Sequence, residues 1–228
     1  QRGARNRRAI ALQRCLCGLI QQRRSLEDLL LDQITQCAVR AGDKKFPEQL
    51  VQPVSVEIVV VIHSQETCID DVLLAFESHL KVLPCSNVNP RFLGLRARDY
   101  LVRHAEPADL NLYLEDDLVI QDQLFLEKLL WFADLLHHES VLLPHRYEFL
   151  PGSHDCSRLL IDGPLHPASY DSWHSPQKDA AMGQFMGSKI IKFDRPDNPH
   201  SGFFALSKQQ LLQIREKKLP VDDFVGPL

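Results

Sequence analysis

Apolar residues along the chain follow two alternating spacings, which predict strands and helices in turn. The segment 54–62 ends in consecutive β-branched residues, which is typical of a strand covered on both faces. Apolar residues three and four positions apart predict amphipathic helices. The predicted helices begin at Arg7 and Ser25 and then cover about 70–83, the stretch after Asp99 up to about 104, 121–138 and 207–217. The other predicted strands are 112–114, 141–149, 159–161 and 190–193. This succession predicts an α/β fold.

The apolar pattern breaks at Glu115, Asp116 and Asp117, which directly follow the short strand 112–114. Ligands in open α/β sheets bind at the C-terminal ends of strands. Adjacent carboxylates repel one another, and a divalent cation such as Mn²⁺ or Mg²⁺ removes that repulsion while binding to oxygen. The three acids therefore predict a metal site. A solvated acidic turn, followed by a helix that Asp122 caps, accounts for the same residues without a ligand.

The start of the chain is strongly basic. Arginines occupy positions 2, 5, 7, 8 and 14, at the start of the first predicted helix. Positive charge at a helix N-terminus is unfavourable because the helix dipole is positive there. A bound anion removes this unfavourable interaction, since arginine side chains and free N–H groups both bind phosphate. Arg5 and Arg8 are therefore candidate phosphate-binding residues, and a solvated basic face is the alternative.

Length, charge and cysteine content restrict the class of protein. A chain of 228 residues with 44% hydrophobic residues suits one globular domain. The net charge of −4 gives no indication of nucleic-acid binding. No apolar run approaches the roughly eighteen residues that a membrane span needs. The six cysteines lack metal-ligand spacing, and we interpret them as reduced thiols of a cytoplasmic protein.

Three other stretches, 94–99, 200–203 and 221–223, accompany the acids. Taken together with Glu115 and Asp117, they resemble the motifs of GT-A fold glycosyltransferases. Glu115 and Asp117 take the two acidic positions of the family's Asp-x-Asp motif, with Glu in place of the usual first Asp. The stretch 94–99 is similar to the Gly-x-x-x-Ala-Arg-Asn element of many family 2-type members. The stretch 200–203 resembles a later loop that touches acceptor or metal, and 221–223 resembles the x-Glu-Asp motif of inverting members.

This resemblance implies a GT-A-like three-layer sandwich with a mostly parallel central sheet, formed as a single catalytic domain over residues 1–228. Proteins of this family begin with a strand whose end contacts the nucleotide, whereas this chain begins with a predicted helix. We therefore expect a fragment of a longer chain that lacks its first strand. The segment 150–200, with its many prolines and histidines, is expected to form loops on the acceptor side.

The resemblance also implies a metal-dependent, inverting transfer of a sugar from a nucleotide diphosphate donor to a hydroxyl group. The acceptor would be a glycan, a lipid or a small molecule. The implied roles are metal binding by Glu115, Asp117 and His200, donor binding by Arg98 and Asp116 beside Arg5 and Arg8, catalysis by Asp223 or Asp222 as the base, and acceptor binding by Trp173 and Tyr170. Aromatic rings stack well on sugars. Arg98 pairing with a nearby acid, helix capping by the Asp pair and core packing of the two aromatic residues are the alternatives.

Two other classes of function fit the same acids. A sugar-phosphate nucleotidyltransferase uses similar metal–carboxylate chemistry, but it would usually carry a glycine-rich phosphate loop near its first strand, and none is visible. A degenerate, non-catalytic GT-A-like domain would keep the fold without the activity. Glycoside hydrolysis fits less well, because adjacent acids at one strand end cannot lie on both sides of a sugar ring.

Overall fold

A computed structural model of the protein describes residues 2–43, 53–64, 69–149, 157–163, 176–196 and 202–217. The helices in these ranges are α1 (Arg2–Ile20), α2 (Asp70–Ala75), α3 (Leu93–Asp99), α4 (Phe125–Leu135) and α5 (Lys208–Lys217). The strands are β1 (Leu29–Asp32), β2 (Cys37–Arg40), β3 (Val59–His63), β4 (Lys81–Cys85), β5 (Leu110–Leu114), β6 (Tyr147–Phe149), β7 (Arg158–Leu160), β8 (Gln177–Gly183), β9 (Ile191–Arg195) and β10 (Phe203–Ser207). A π-helical turn, Tyr100–His104, continues α3.

The strands in the described ranges pair two by two. β3 and β4 are parallel, whereas β1–β2, β5–β10, β6–β7 and β8–β9 are antiparallel pairs. A mixed helix-and-strand architecture is therefore confirmed. The described strands do not form the mostly parallel central sheet that we expected, and the three-layer GT-A sandwich stays a prediction.

The first of two compact units takes in the described residues up to Tyr100 together with Glu115–Leu126. Its core forms where one face of α1 meets residues around β3 and α2. Leu12 and Leu16 of α1 cluster there with Ile58, Val72 and Leu73. Leu12 and Leu16 are four positions apart, so they share a helix face, as the apolar spacing predicts. The core therefore anchors the middle of α1, whereas residues 3–8 are all exposed.

The second unit takes in Leu101–Leu114 and the described residues from Glu127 onward. Strand β5 alternates between buried and half-buried residues, and the ring of Tyr113 stacks on Phe204 of β10 at 5.3 Å between centroids. The aromatic face of α4 packs against the β8–β9 hairpin, where Phe132 and Phe193 meet edge to face at 4.8 Å. The stacking of Tyr113 on Phe204 and the pairing of β5 with β10 hold the strand that ends immediately before the acids.

Two predicted helices are wrong in the structure. The chain after Ser25 forms the β1–β2 hairpin, although the Ser25 hydroxyl accepts from the Glu27 N–H and the Asp28 carboxylate accepts from the Ser25 N–H. These are the hydrogen bonds of a helix cap, but here they close a turn into a strand. The helix predicted over 70–83 ends at Ala75, and β4 pairs with β3 over the rest. The apolar residues at the end of this predicted helix therefore belong to β4, whose hydrogen bonds come from β3.

Candidate functional site

Glu115, Asp116 and Asp117 lie in a β-turn that directly follows β5. The Leu118 N–H donates to the Glu115 carbonyl oxygen at 3.1 Å, which closes the turn. Glu115 and Asp117 are exposed, and Asp116 is half-buried. We call Glu115–Asp117 with Leu118 the acid turn. It has the local geometry of the acidic turn that we considered as the alternative to a metal site, and metal binding there stays a prediction.

Helix α1 lies along the acid turn. The Arg8 guanidinium is 3.2 Å from the Asp116 carboxylate, and both side chains are partly exposed, at 61% and 46%. Two turns further along α1, the Cys15 thiol contacts the Glu115 carbonyl oxygen at 3.8 Å between sulfur and oxygen. The acid turn is therefore contacted by two residues that lie seven positions apart on one face of α1.

The same face of α1 continues along the segment that leads to α4. Gly18 packs against the backbone of Ile120, and the Gln22 amide donates to the Asp122 carbonyl oxygen at 3.0 Å. The Asp122 carboxylate in turn accepts from the Leu124 N–H at 3.0 Å, immediately before α4. Arg8, Cys15 and Gly18 of α1, and Gln22 in the turn just after its end, are spaced seven, three and four apart, and we call them the α1 stripe.

The negative charges of the acid turn act on the buried thiol of Cys15. This thiol is 4% exposed, and burial raises its pKa to about 12, with smaller contributions from the negative charges of Asp116 and Asp117. A thiolate would be unfavourable in such a place, so Cys15 remains a neutral thiol. Cys15 is therefore a structural neighbour of the carboxylates.

The oxygen chemistry of the acid turn fits a divalent cation. Within the described ranges, no three His, Cys, Asp or Glu side chains converge in a way that could hold a metal ion. Mn²⁺ and Mg²⁺ nevertheless often take only one or two protein carboxylates and complete their shell with water and substrate phosphate. The exposed carboxylates of Glu115 and Asp117 satisfy that requirement, and they would be the residues that hold the ion.

Of the other predicted site residues, Arg5 and Arg98 lie within the described ranges. Arg5 is exposed on α1, one turn before Arg8 and on the same side of the helix. Arg98 is half-buried in the last turn of α3, a helix that packs against β3. The five remaining residues, His200, Trp173, Tyr170, Asp222 and Asp223, lie outside the described residues, so the roles predicted for them stay predictions.

Sequence reasoning missed Cys15, Gly18 and Gln22 as neighbours of the acids. The sequence carries a weak signal, because Cys15 and Gly18 are small residues at helical spacing beside the apolar face of α1. Gln22 is 5% exposed, and a buried amide needs a partner that a pattern of apolar residues does not supply. No pattern in the sequence indicates that this partner is the carbonyl oxygen of Asp122.

Comparisons with protein-family models, curated proteins and solved structures found no match to this chain. None of the helices in the described part of the chain combines the length and hydrophobicity that crossing a bilayer requires. The cytoplasmic location stays a prediction.

Proposed function

We propose that the protein is a metal-dependent glycosyltransferase that moves a sugar from a nucleotide diphosphate donor to an acceptor hydroxyl. One observation carries the proposal most: the ion pair of Arg8 with Asp116 puts arginine beside the acid turn. A metal-bound diphosphate has a cation and phosphate oxygens next to each other, so it needs carboxylates and a phosphate-binding cation side by side. The acid turn and the start of α1 supply both.

The division of roles follows from this arrangement. Glu115 and Asp117 would hold Mn²⁺ or Mg²⁺, and Arg5 and Arg8 would bind phosphate oxygens with their guanidinium groups. When bound, the metal supplies Lewis-acid stabilisation of the charge that develops on the diphosphate leaving group. Asp116 would keep Arg8 oriented toward the donor. Arg98 would add positive charge to the donor side.

The acceptor side of the proposal follows from the family resemblance and, for the two aromatic residues, from the stacking of aromatic rings on sugars. Asp223 or Asp222 would take the proton from the acceptor hydroxyl, which gives an inverting displacement. His200 would be a third metal ligand, and Trp173 and Tyr170 would stack on the sugar ring of the acceptor. Measuring sugar transfer by a variant of each residue tests these assignments.

A non-catalytic domain is the second candidate, and the same ion pair supports it. Arg8 already neutralises the negative charge of Asp116, which reduces the repulsion among the three carboxylates. The acid turn therefore needs no metal to relieve that repulsion. In a degenerate domain the pair would be a surface salt bridge without a ligand. A nucleotidyltransferase would differ from both by binding a nucleoside triphosphate and a sugar phosphate.

A binding panel separates these candidates. The full-length protein is titrated with UDP-, GDP- and other nucleotide sugars, with Mn²⁺ and with EDTA, beside Asp117→Ala. Asp109→Ala is the matched control, because it removes an exposed aspartate at the opposite end of β5. We expect metal-dependent binding of one donor, lost in Asp117→Ala and kept in Asp109→Ala. Binding of a triphosphate instead would favour the nucleotidyltransferase, and a folded protein that binds nothing would favour the degenerate domain.

A further inference from the structure

The packing of α1 against the segment after the acid turn depends on a residue without a side chain. A Cβ atom at Gly18 would lie 2.8 Å from the backbone oxygen of Ile120 and 3.2 Å from its backbone nitrogen. Both of these neighbours are backbone atoms, so rotating a side chain cannot relieve the overlap. At this separation of helix and segment, position 18 therefore accepts only glycine.

Gly18 lies between the two other buried contacts of the α1 stripe. On one side Cys15 touches the Glu115 carbonyl, and on the other Gln22 holds the Asp122 carbonyl. An α-helix is rigid over these few turns, so the separation at Gly18 also sets the separation at Arg8. Displacing the segment at Ile120 would move the acid turn relative to the arginines.

We propose that Gly18 is a positioning residue for the donor site. By letting α1 lie directly against Ile120, it keeps Arg5 and Arg8 at the distance at which they and the acid turn contact one metal-bound diphosphate together. This inference rests on the proposed function. An added methyl group must displace the segment by about 0.5 Å or more, which is comparable to the tolerance of a preorganised site.

Gly3 offers a matched control on the same helix. A Cβ atom at Gly3 would have only the Arg7 guanidinium nearby, at 3.9 Å. Replacing glycine by alanine favours a helix at either position, by at most about 1 kcal/mol, so a loss that is confined to Gly18→Ala reports the contact with Ile120. The experiment compares Gly18→Ala with Gly3→Ala in the full-length protein.

The first readout needs no ligand. The readout is the rate at which iodoacetamide alkylates Cys15, followed by mass spectrometry of the peptide that contains it. Cys17, which lies in the same peptide, is replaced by serine. Because the Cys15 thiol is buried, this rate reports how tightly α1 covers the acid turn. We expect alkylation several-fold faster in Gly18→Ala than in Gly3→Ala. Equal rates would show that position 18 does not set this contact, and they would overturn the inference.

The second readout is the affinity of the folded protein for UDP and GDP in the presence of Mn²⁺. A displaced acid turn should weaken the binding of the preferred nucleotide by about 10- to 100-fold in Gly18→Ala and leave Gly3→Ala unchanged. A purely structural role would lower the melting temperature without changing the affinity of the folded fraction. If Gly18→Ala does not fold, Gln22→Met removes the hydrogen bond to Asp122, and exposed Gln21→Met is its control.

The outcomes separate this inference from the proposed function. If the parent protein binds a nucleotide with Mn²⁺ and Gly18→Ala, or Gln22→Met in its place, binds it equally well, the positioning role is wrong and the function stands. If the parent binds no nucleotide with any metal, the proposed function fails and the positioning role fails with it. The alkylation rates then still report whether α1 covers the acid turn.

Discussion

Arg8 and Asp116 lie 3.2 Å apart although 108 positions separate them in the sequence. The contact joins the two segments with the strongest charge patterns in the chain, a basic helix start and an acidic strand end. The ion pair itself adds little to stability, because a pair this exposed contributes only about 0–1 kcal/mol. The juxtaposition is instead suited to a ligand with opposite charges on adjacent groups.

Replacing Arg8 by glutamine should affect binding far more than stability. We expect Arg8→Gln to weaken the affinity for a nucleotide sugar with Mn²⁺ by about tenfold, because a charge-assisted hydrogen bond to phosphate is lost. The affinity for Mn²⁺ alone should not fall, since Asp116 loses a competing cation. Titration calorimetry measures both. Arg14→Gln is the control, because Arg14 is also exposed on α1 but lies outside the α1 stripe.

The stability of the first unit should fall at alkaline pH because of Cys15. The pKa of this thiol is raised from 9.0 to about 12 in the folded protein. Between these values the unfolded chain has lost the proton and the folded protein keeps it, so the free energy of unfolding falls as pH rises. Urea denaturation from about pH 8 to about pH 11 should show a shallower decline in Cys15→Ala. Identical pH dependence in the parent and the variant would contradict the burial of this thiol.

Gly183 should tolerate no side chain. A Cβ atom there would lie 2.5 Å from Leu135 and 2.7 Å from the Trp131 ring, both on α4. Overpacking of this kind costs about 1–3 kcal/mol, so we expect Gly183→Ala to lower the free energy of unfolding by that amount. Gly163→Ala, where the added methyl group meets no atom within 4 Å, is the control. Denaturant unfolding of both variants makes the comparison, and equal stabilities would show that the β8–β9 hairpin does not pack on α4 in this way.

Two ion pairs of the second unit should differ sharply in their effect on stability. Arg146 binds Asp162 through its side chain at 2.7 Å, and the Asp162 side chain is only 8% exposed. Asp162→Ala leaves that arginine without its carboxylate and should cost about 3 kcal/mol or more. Asp194→Ala breaks the pair with the exposed Lys178 and should cost far less, because water screens an exposed ion pair. Chemical denaturation of both variants tests this ranking of the two ion pairs. A larger loss of stability in Asp194→Ala than in Asp162→Ala would contradict it.

The elements with strong local patterns were predicted well from the sequence. The apolar run before the acids forms β5, and the helices predicted over 121–138 and 207–217 contain α4 and α5. In each case the buried face agrees with the residue spacing, as at Leu129 and Phe132 of α4. Local periodicity and packing point to the same element there.

One of the two wrong helices arises where pairing with a distant segment decides the structure. Leu80 and Leu83 fit the helix spacing of 70–83, yet Leu83 pairs with Val61 in the parallel β3–β4 ladder. For the site, the sequence identified the acids and Arg8 but not their contact, because no pattern within α1 specifies which segment covers Gly18. Long-range contacts of this kind leave only a weak local signal.

The most direct test of the account is the binding of Mn²⁺ to the full-length protein, followed by electron paramagnetic resonance of the free ion, with and without UDP or GDP. If the acid turn and Arg8 form one metal–diphosphate site, the nucleotide should tighten Mn²⁺ binding, and Asp117→Ala should abolish the effect while Asp109→Ala keeps it. Mn²⁺ binding that is absent, or that is the same with and without every nucleotide and in both variants, would contradict a shared site.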